Sequence, residues 1–202
     1  MIINNVISKN QYGFLKNIGT KEALAKISDL IYSNIDNKLP LIITFLNLAK
    51  AFDSVNHNSL PSKLYRYGIR GGPLELLRDY LSNRLHRAKL NNIFSDFKNV
   101  TKVRFWVLPE NCIFLYSDVT AIVSCDKNWI TAKIKMSEYL EKIYKWVNLN
   151  YLSLNINKTI FMGFGSYTSS VPNSIEIYID NTKVNRVEQV KYLGAFFDPH
   201  LK

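Results

Sequence analysis

Between Thr20 and Asp36 the apolar residues Leu24, Ile27, Ile31 and Ile35 step by three and four, the spacing that keeps them on one face of a helix. Thr20 reads as the N-cap of that helix. The run LPLIITFLNL, from Leu39 to Leu48, is continuous rather than alternating, and short enough for a buried strand. Pro40 belongs near its start, because proline has no N–H to give to a sheet ladder. A helix is predicted from Ser59 to Tyr67, with Pro61 in its first turn and Gly68 at its end. Pro73 opens another, with Leu74, Leu77 and Leu81 on one side and Arg78 on the other. Arg87 to Val100 reads as extended chain around a turn at Asn91 and Asn92.

The strongest β signal is CIFLYSDVTAIV, Cys112 to Val123, in which two apolar arms flank the polar pair Ser117 and Asp118. That is the pattern of a hairpin with a two-residue turn, and it displays a carboxylate at the tip. From Trp129 to Asn148, Met136, Leu140, Ile143 and Val147 return to helical spacing. Ser174 to Ile179 and Glu188 to Phe197 read as two extended pieces. The order is helix, strand, helices, hairpin, helix, strands, which predicts an α+β fold with helices backing an antiparallel sheet.

Composition narrows the class. The 202 residues are 47% hydrophobic and 21% charged, ordinary for one globular domain or a domain with a small appendage. No run approaches the roughly 18 apolar residues of a membrane helix. The start, MIINNVISKN, lacks a basic segment followed by an apolar core, so an intracellular protein with no membrane partner is expected. Cys112 and Cys125 are too few for a disulfide framework, and His57, His86 and His200 fall in no zinc pattern. The net charge of +10 favours nucleic acid as a partner. A general enrichment in Asn, Lys, Ile and Tyr would produce the same charge, so charge alone does not decide.

Five ordered blocks carry a more specific signal: QYGFLKNIGT from Gln11, FLNLAKAFDSVNH from Phe45, LYSDVTAIV from Leu115, WVNLNYLSLNINKTIFMGFG from Trp146, and VKYLGAFFD from Val190. Together they resemble the reverse transcriptase of non-LTR, jockey-like retrotransposons across nearly the whole chain. The second block is close to that family's F-L-D-L-x-K-A-F-D-x-V-N-H, and the third to its Y-A-D-D-T-A-I-V. The resemblance implies an RNA-directed DNA polymerase, a nucleotidyltransferase working on an RNA template and a DNA primer with Mg²⁺. It implies a polymerase palm with a fingers remnant: 1–38 as fingers, 39–165 as palm with an internal deletion near 103–111, and 166–202 as strands at the palm–thumb junction.

In the family three aspartates hold the metals, and their positions correspond to Asn47, Asp118 and Val119. Only Asp118 keeps a carboxylate, so weak or absent Mg²⁺ binding is expected. Asp53 matches a separate family aspartate and is no replacement. The family's G-V-P-Q-G-S block is missing, since Thr101-Lys102-Val103 is followed only by RFWVLPENCIFL before Tyr116. Leu15 stands where the family carries arginine. Phe52 matches the aromatic gate beneath the nucleotide sugar, and Lys158 the lysine that serves as candidate general acid. Arg66, Arg70, Arg78, Arg84, Arg87 and Lys89 form a cationic run that could follow a nucleic-acid backbone, or be a solvated surface. Tyr65, Tyr67 and Tyr80, interleaved with them, read as core residues by their helical spacing. The expectation is an inactive polymerase relative. A non-catalytic nucleic-acid-binding remnant and a translated pseudogene fragment without function remain the alternatives.

Overall fold

The unbroken apolar run after Leu39 forms the middle strand of a sheet, with Leu41, Ile42 and Ile43 fully buried. The computed structural model describes residues 10–13, 15–48, 60–82, 85–87, 89–91, 93–96, 98–99, 113–116, 119–149, 152–165 and 171–199. In chain order the elements are α1 (Thr20–Asp36), β1 (Leu41–Asn47), α2 (Leu60–Arg66), α3 (Gly72–Leu81), β2 (Leu85–His86), β3 (Lys89–Leu90), β4 (Ile93–Phe94) and β5 (Lys98–Asn99). They continue with β6 (Ile113–Tyr116), β7 (Val119–Cys125), α4 (Trp129–Leu149), β8 (Ile160–Phe164), β9 (Tyr178–Ile179) and β10 (Thr182–Lys183). The last are β11 (Asn185–Arg186), β12 (Val190–Tyr192) and β13 (Ala195–Phe197). The chain divides into two units: Met1–Ala49, Val107–Leu149 and Leu154–Lys202 form the first, Lys50–Trp106 and Asn150–Ser153 the second. Among the described residues no helix is long and apolar enough to cross a membrane.

The first unit is built on a sheet of order β11-β8-β1-β7-β6. Strand β1 runs antiparallel to β7 and to β8, and β6 antiparallel to β7. The α+β expectation agrees with this mixture, but the sheet is not wholly antiparallel: β11 pairs parallel to β8. A parallel neighbour needs a crossover, and the stretch containing β9 and β10 supplies it. Alternate residues of the sheet face opposite ways. On one face Leu41, Ile43, Phe45, Val123, Met162 and Phe164 pack with Ile27, Ile31 and Ile35 of α1 and with Val190, Tyr192 and Phe197 of the β12–β13 hairpin. The other face meets α4, whose buried Ala132, Met136, Leu140, Ile143 and Val147 are the predicted stripe. Ser124 donates to the carbonyl of Ala132 at 2.8 Å, satisfying a buried hydroxyl at that contact.

Several local expectations need correction. The cap of α1 is Gly19 rather than Thr20, because the Glu22 carboxylate reaches back to the Gly19 N–H at 2.7 Å. The segment before β9 buries Ile175, Ile177 and Ile179 in alternation, yet it joins a ladder only over Tyr178–Ile179. The piece from Glu188 to Phe197 is a hairpin, not one extended strand. It reverses at Leu193 and Gly194, both with positive φ, the geometry of a tight two-residue turn. Strand β8, in the NKTIFMGFG stretch, had no strand expectation.

Two buried hydroxyls, Thr44 Oγ1 and that of Tyr192, have no hydrogen-bond partner among the described residues. The Tyr192 ring packs tilted against Phe45 and edge-on against Phe197, at centroid separations of 5.2 and 6.5 Å, and burial pushes its phenol pKa up. An unpaired buried hydroxyl costs about 1–3 kcal/mol, so Tyr192→Phe is expected to raise stability by about 1 kcal/mol. A group whose pKa is raised on folding gives stability that is complete below its unfolded value and is lost as pH rises. The native protein should therefore lose stability above a pH of roughly 10, and Tyr192→Phe should lose less. Thermal melts of both at neutral and alkaline pH check this; a variant that melts lower at neutral pH would show that the hydroxyl is satisfied.

Candidate active site

Strand β1 ends at Asn47, which lies opposite Val119, the first residue of β7. Cross-strand neighbours stand about 5 Å apart at Cα, so the register makes these two positions adjacent. Tyr116 also pairs with Val119, so β6 and β7 are joined through positions 117 and 118. Ser117 and Asp118 themselves lie outside the described residues, as does the Val119 side chain.

A network of backbone and side-chain hydrogen bonds ties the end of β1 to the segment before β8. The Asn155 N–H donates to the Asn47 carbonyl at 2.8 Å, and the Asn47 N–H points at Thr159 Oγ1 at 3.4 Å. Thr159 Oγ1 in turn donates to the Asn155 carbonyl at 3.0 Å. The Asn155 side chain accepts the Lys158 N–H at 3.2 Å, closing the short 3-10 turn Ile156–Lys158. Leu48 and Leu154 form an isolated bridge beside it. Lys158 is thus carried on a loop fastened to Asn47, with its side chain exposed. Asn155 and Thr159, which do the fastening, were not singled out by sequence reasoning. Both lie in the LNINKT stretch of the fourth block, on either side of Lys158.

The donor set at positions 47 and 119 does not fit Mg²⁺. A hard divalent cation takes anionic oxygens, and an amide opposite a valine supplies no charge. Among the described residues no group of three or more His, Cys, Asp or Glu side chains could hold a metal.

Phe52, Asp53, His57, Arg84, Cys112 and His200 fall outside the described residues, as do the junction at 103–111 and the side chains of Lys89 and His86. The remaining cations belong to the second unit. There α2 and α3 pack together, β2 pairs with β5, and β3 pairs with β4 around Asn91, whose positive φ suits the predicted turn. Arg66, Arg70 and Arg87 are exposed, and Arg78 is held by both Glu75 carboxylate oxygens at 2.8 and 3.0 Å. The tyrosines overturn the core expectation: Tyr65, Tyr67 and Tyr80 are 50%, 37% and 59% exposed. Helical spacing was the wrong guide because α2 buries Leu60, Pro61 and Leu64, and α3 buries Leu74, leaving these rings off the covered faces.

No protein-family model matches the chain. It is 24% identical to the probable RNA-directed DNA polymerase from transposon BS of Drosophila melanogaster, over all of this chain and 26% of that protein. It is 23% identical to the RNA-directed DNA polymerase from mobile element jockey of the same fly, over 98% of this chain and 24% of that protein. The jockey polymerase of Drosophila funebris matches at 23% over the same shares. The chain spans about a quarter of the length of these relatives. Blocks, order and coverage of this chain agree: along nearly its whole length it is similar to the RNA-directed DNA polymerases of transposon BS, mobile element jockey and transposon X-element.

Proposed function

We propose that this chain descends from a retrotransposon RNA-directed DNA polymerase, keeps the palm with a fingers remnant, and does not polymerise DNA. The observation that carries this is the pairing of Asn47 with Val119, the end of β1 against the start of β7. In nucleotidyl transfer two divalent ions activate the primer hydroxyl and stabilise the leaving pyrophosphate, and carboxylates must hold them. With an amide and an isopropyl group at two of the three positions, that charge stabilisation is lost. Lys158 keeps the place of a proton donor, on the loop fastened to Asn47 by Asn155 and Thr159. The missing Gly-Val-Pro-Gln-Gly segment adds a second defect. The alignment with the BS polymerase runs over 243 residues against 202 in this chain, so this chain is gapped against that relative.

Primer extension on an RNA template with Mg²⁺ or Mn²⁺ is expected to give no incorporation, and template-dependent product would overturn the proposal. Asn47→Asp combined with Val119→Asp is expected to tighten Mn²⁺ binding by about tenfold, read by electron paramagnetic resonance, because ligand charge sets affinity at such sites. Extension should stay absent in that variant, since the template-positioning segment is still missing. Unchanged Mn²⁺ affinity would count against a palm-like placement of the two positions.

A second reading, non-catalytic nucleic-acid binding, is favoured by the exposed Arg66, Arg70 and Arg87 on a chain of net charge +10. It needs neither metal nor the missing segment.

A further inference from the structure

We infer that the helical turn after α2 is a base-stacking site for single-stranded nucleic acid. The inference rests on the nucleic-acid-binding reading and adds the class of ligand and the residues that select it. Its core is Tyr65 with Arg70 over its ring, and Arg66 and Tyr67 follow Tyr65 in the chain; all four are exposed and lie within six residues.

That turn is built, not loose. The Ile69 N–H donates to the Leu64 carbonyl at 3.0 Å and the Gly68 N–H to the Tyr65 carbonyl at 3.0 Å. This crossed pair, closed by Gly68 at φ 87°, is the C-terminal lock of a helix that needs a left-handed residue. It turns the chain back so that the Arg70 guanidinium lies over the Tyr65 ring, 4.8 Å from its centre. The same chemistry recurs in the unit's β-ribbon, where the Arg87 guanidinium sits 3.9 Å from the centre of the half-exposed Phe94 ring. Guanidinium planes on aromatic faces make a mixed stack that a nucleobase can extend, while the cations meet phosphate.

The exposed rings decide the class of ligand. In a duplex the base faces are already stacked on each other, so a basic surface meets only the backbone. Unpaired bases offer free faces, and aromatic platforms among cations are the usual means of holding them. A surface meant only for a hybrid backbone would need Arg66 and Arg70, but not Tyr65 and Tyr67.

The test compares a short oligo(dT) and oligo(U), each carrying one 2-aminopurine, with an RNA–DNA hybrid of the same length, by fluorescence titration on the whole chain. Single strands are expected to bind more tightly than the hybrid. Tyr65→Ala and Tyr67→Ala should each weaken single-strand binding by about tenfold, leave the hybrid unchanged, and abolish part of the 2-aminopurine signal. Tyr65→Phe, which keeps the ring, should retain binding, and circular dichroism melts should be the same for all three variants. Arg70→Ala should weaken both ligands. If the hybrid binds in a salt-dependent way while the tyrosine variants change nothing, the stacking site is wrong and the broader reading stands. If neither ligand binds at low salt, both fail. Self-association of the native chain that Tyr65→Ala abolishes, without an effect on oligonucleotides, would assign the rings to a protein contact and overturn the inference.

Discussion

Ile43→Ala is expected to destabilise the protein by about 2–5 kcal/mol, the usual cost of emptying a fully buried aliphatic site. Ile43 is fully buried at the middle of the central strand, paired with Val123 on one side and Met162 on the other. It belongs to the cluster where α1 and the β12–β13 hairpin meet the sheet. Domains of this size are stable by roughly 5–15 kcal/mol, so the loss is a large part of the total. Urea unfolding measures it as a fall in midpoint at constant slope. A midpoint close to that of the native chain would mean that α1 and the hairpin do not close over that face. The same result would remove the support for the register at Asn47, which depends on β1 being clamped along its length.

Gly163→Val should act from the opposite face, by overfilling. A Cβ at Gly163 would stand 2.8 and 2.9 Å from the two methyl carbons of Val171 and 3.1 Å from Trp129 Cζ3. Neither neighbour can swing away cheaply, since Val171 is branched at Cβ and buried, and Trp129 opens α4. A cost of about 3 kcal/mol is expected, with Gly163→Ala at roughly 1–2 kcal/mol. The effect should be local as well as global. Gly163 pairs with Ile42, and displacement of β8 would pull on the Asn155–Thr159 fastening. Amide exchange at Asn47 and Asn155 is expected to speed up in Gly163→Val beyond the loss in global stability. Stability equal to the native chain would show that the space beside Gly163 is not filled.

Much of the architecture was legible because the signals were periodic and long. Helix α1 occupies Thr20–Asp36 and α4 buries the stripe read from its spacing, since a face that repeats over four turns leaves little room for another conformation. The β6–β7 hairpin was legible from two apolar arms around a polar pair. Strand β8 was not, because IFMGF is short, carries a glycine, and follows a helix and turn without a break in pattern. Nor was the β12–β13 reversal, where Leu193 takes a positive φ that leucine seldom adopts and that its neighbours alone would not suggest.

At the candidate site, residue identities were enough to see that positions 47 and 119 lack carboxylates, and ordered blocks were enough to find the relatives. Neither could tell whether the two positions still meet. That was decided by the ladder between β1 and β7, and by Asn155 and Thr159 gripping the end of β1 across more than a hundred residues of chain. The tyrosines mark the same boundary. Spacing reports which residues share a face, but whether that face is covered depends on which elements arrive over it. Leu60, Leu64 and Leu74 took the covered side and left Tyr65 and Tyr67 in solvent, a fact of packing that local sequence does not contain.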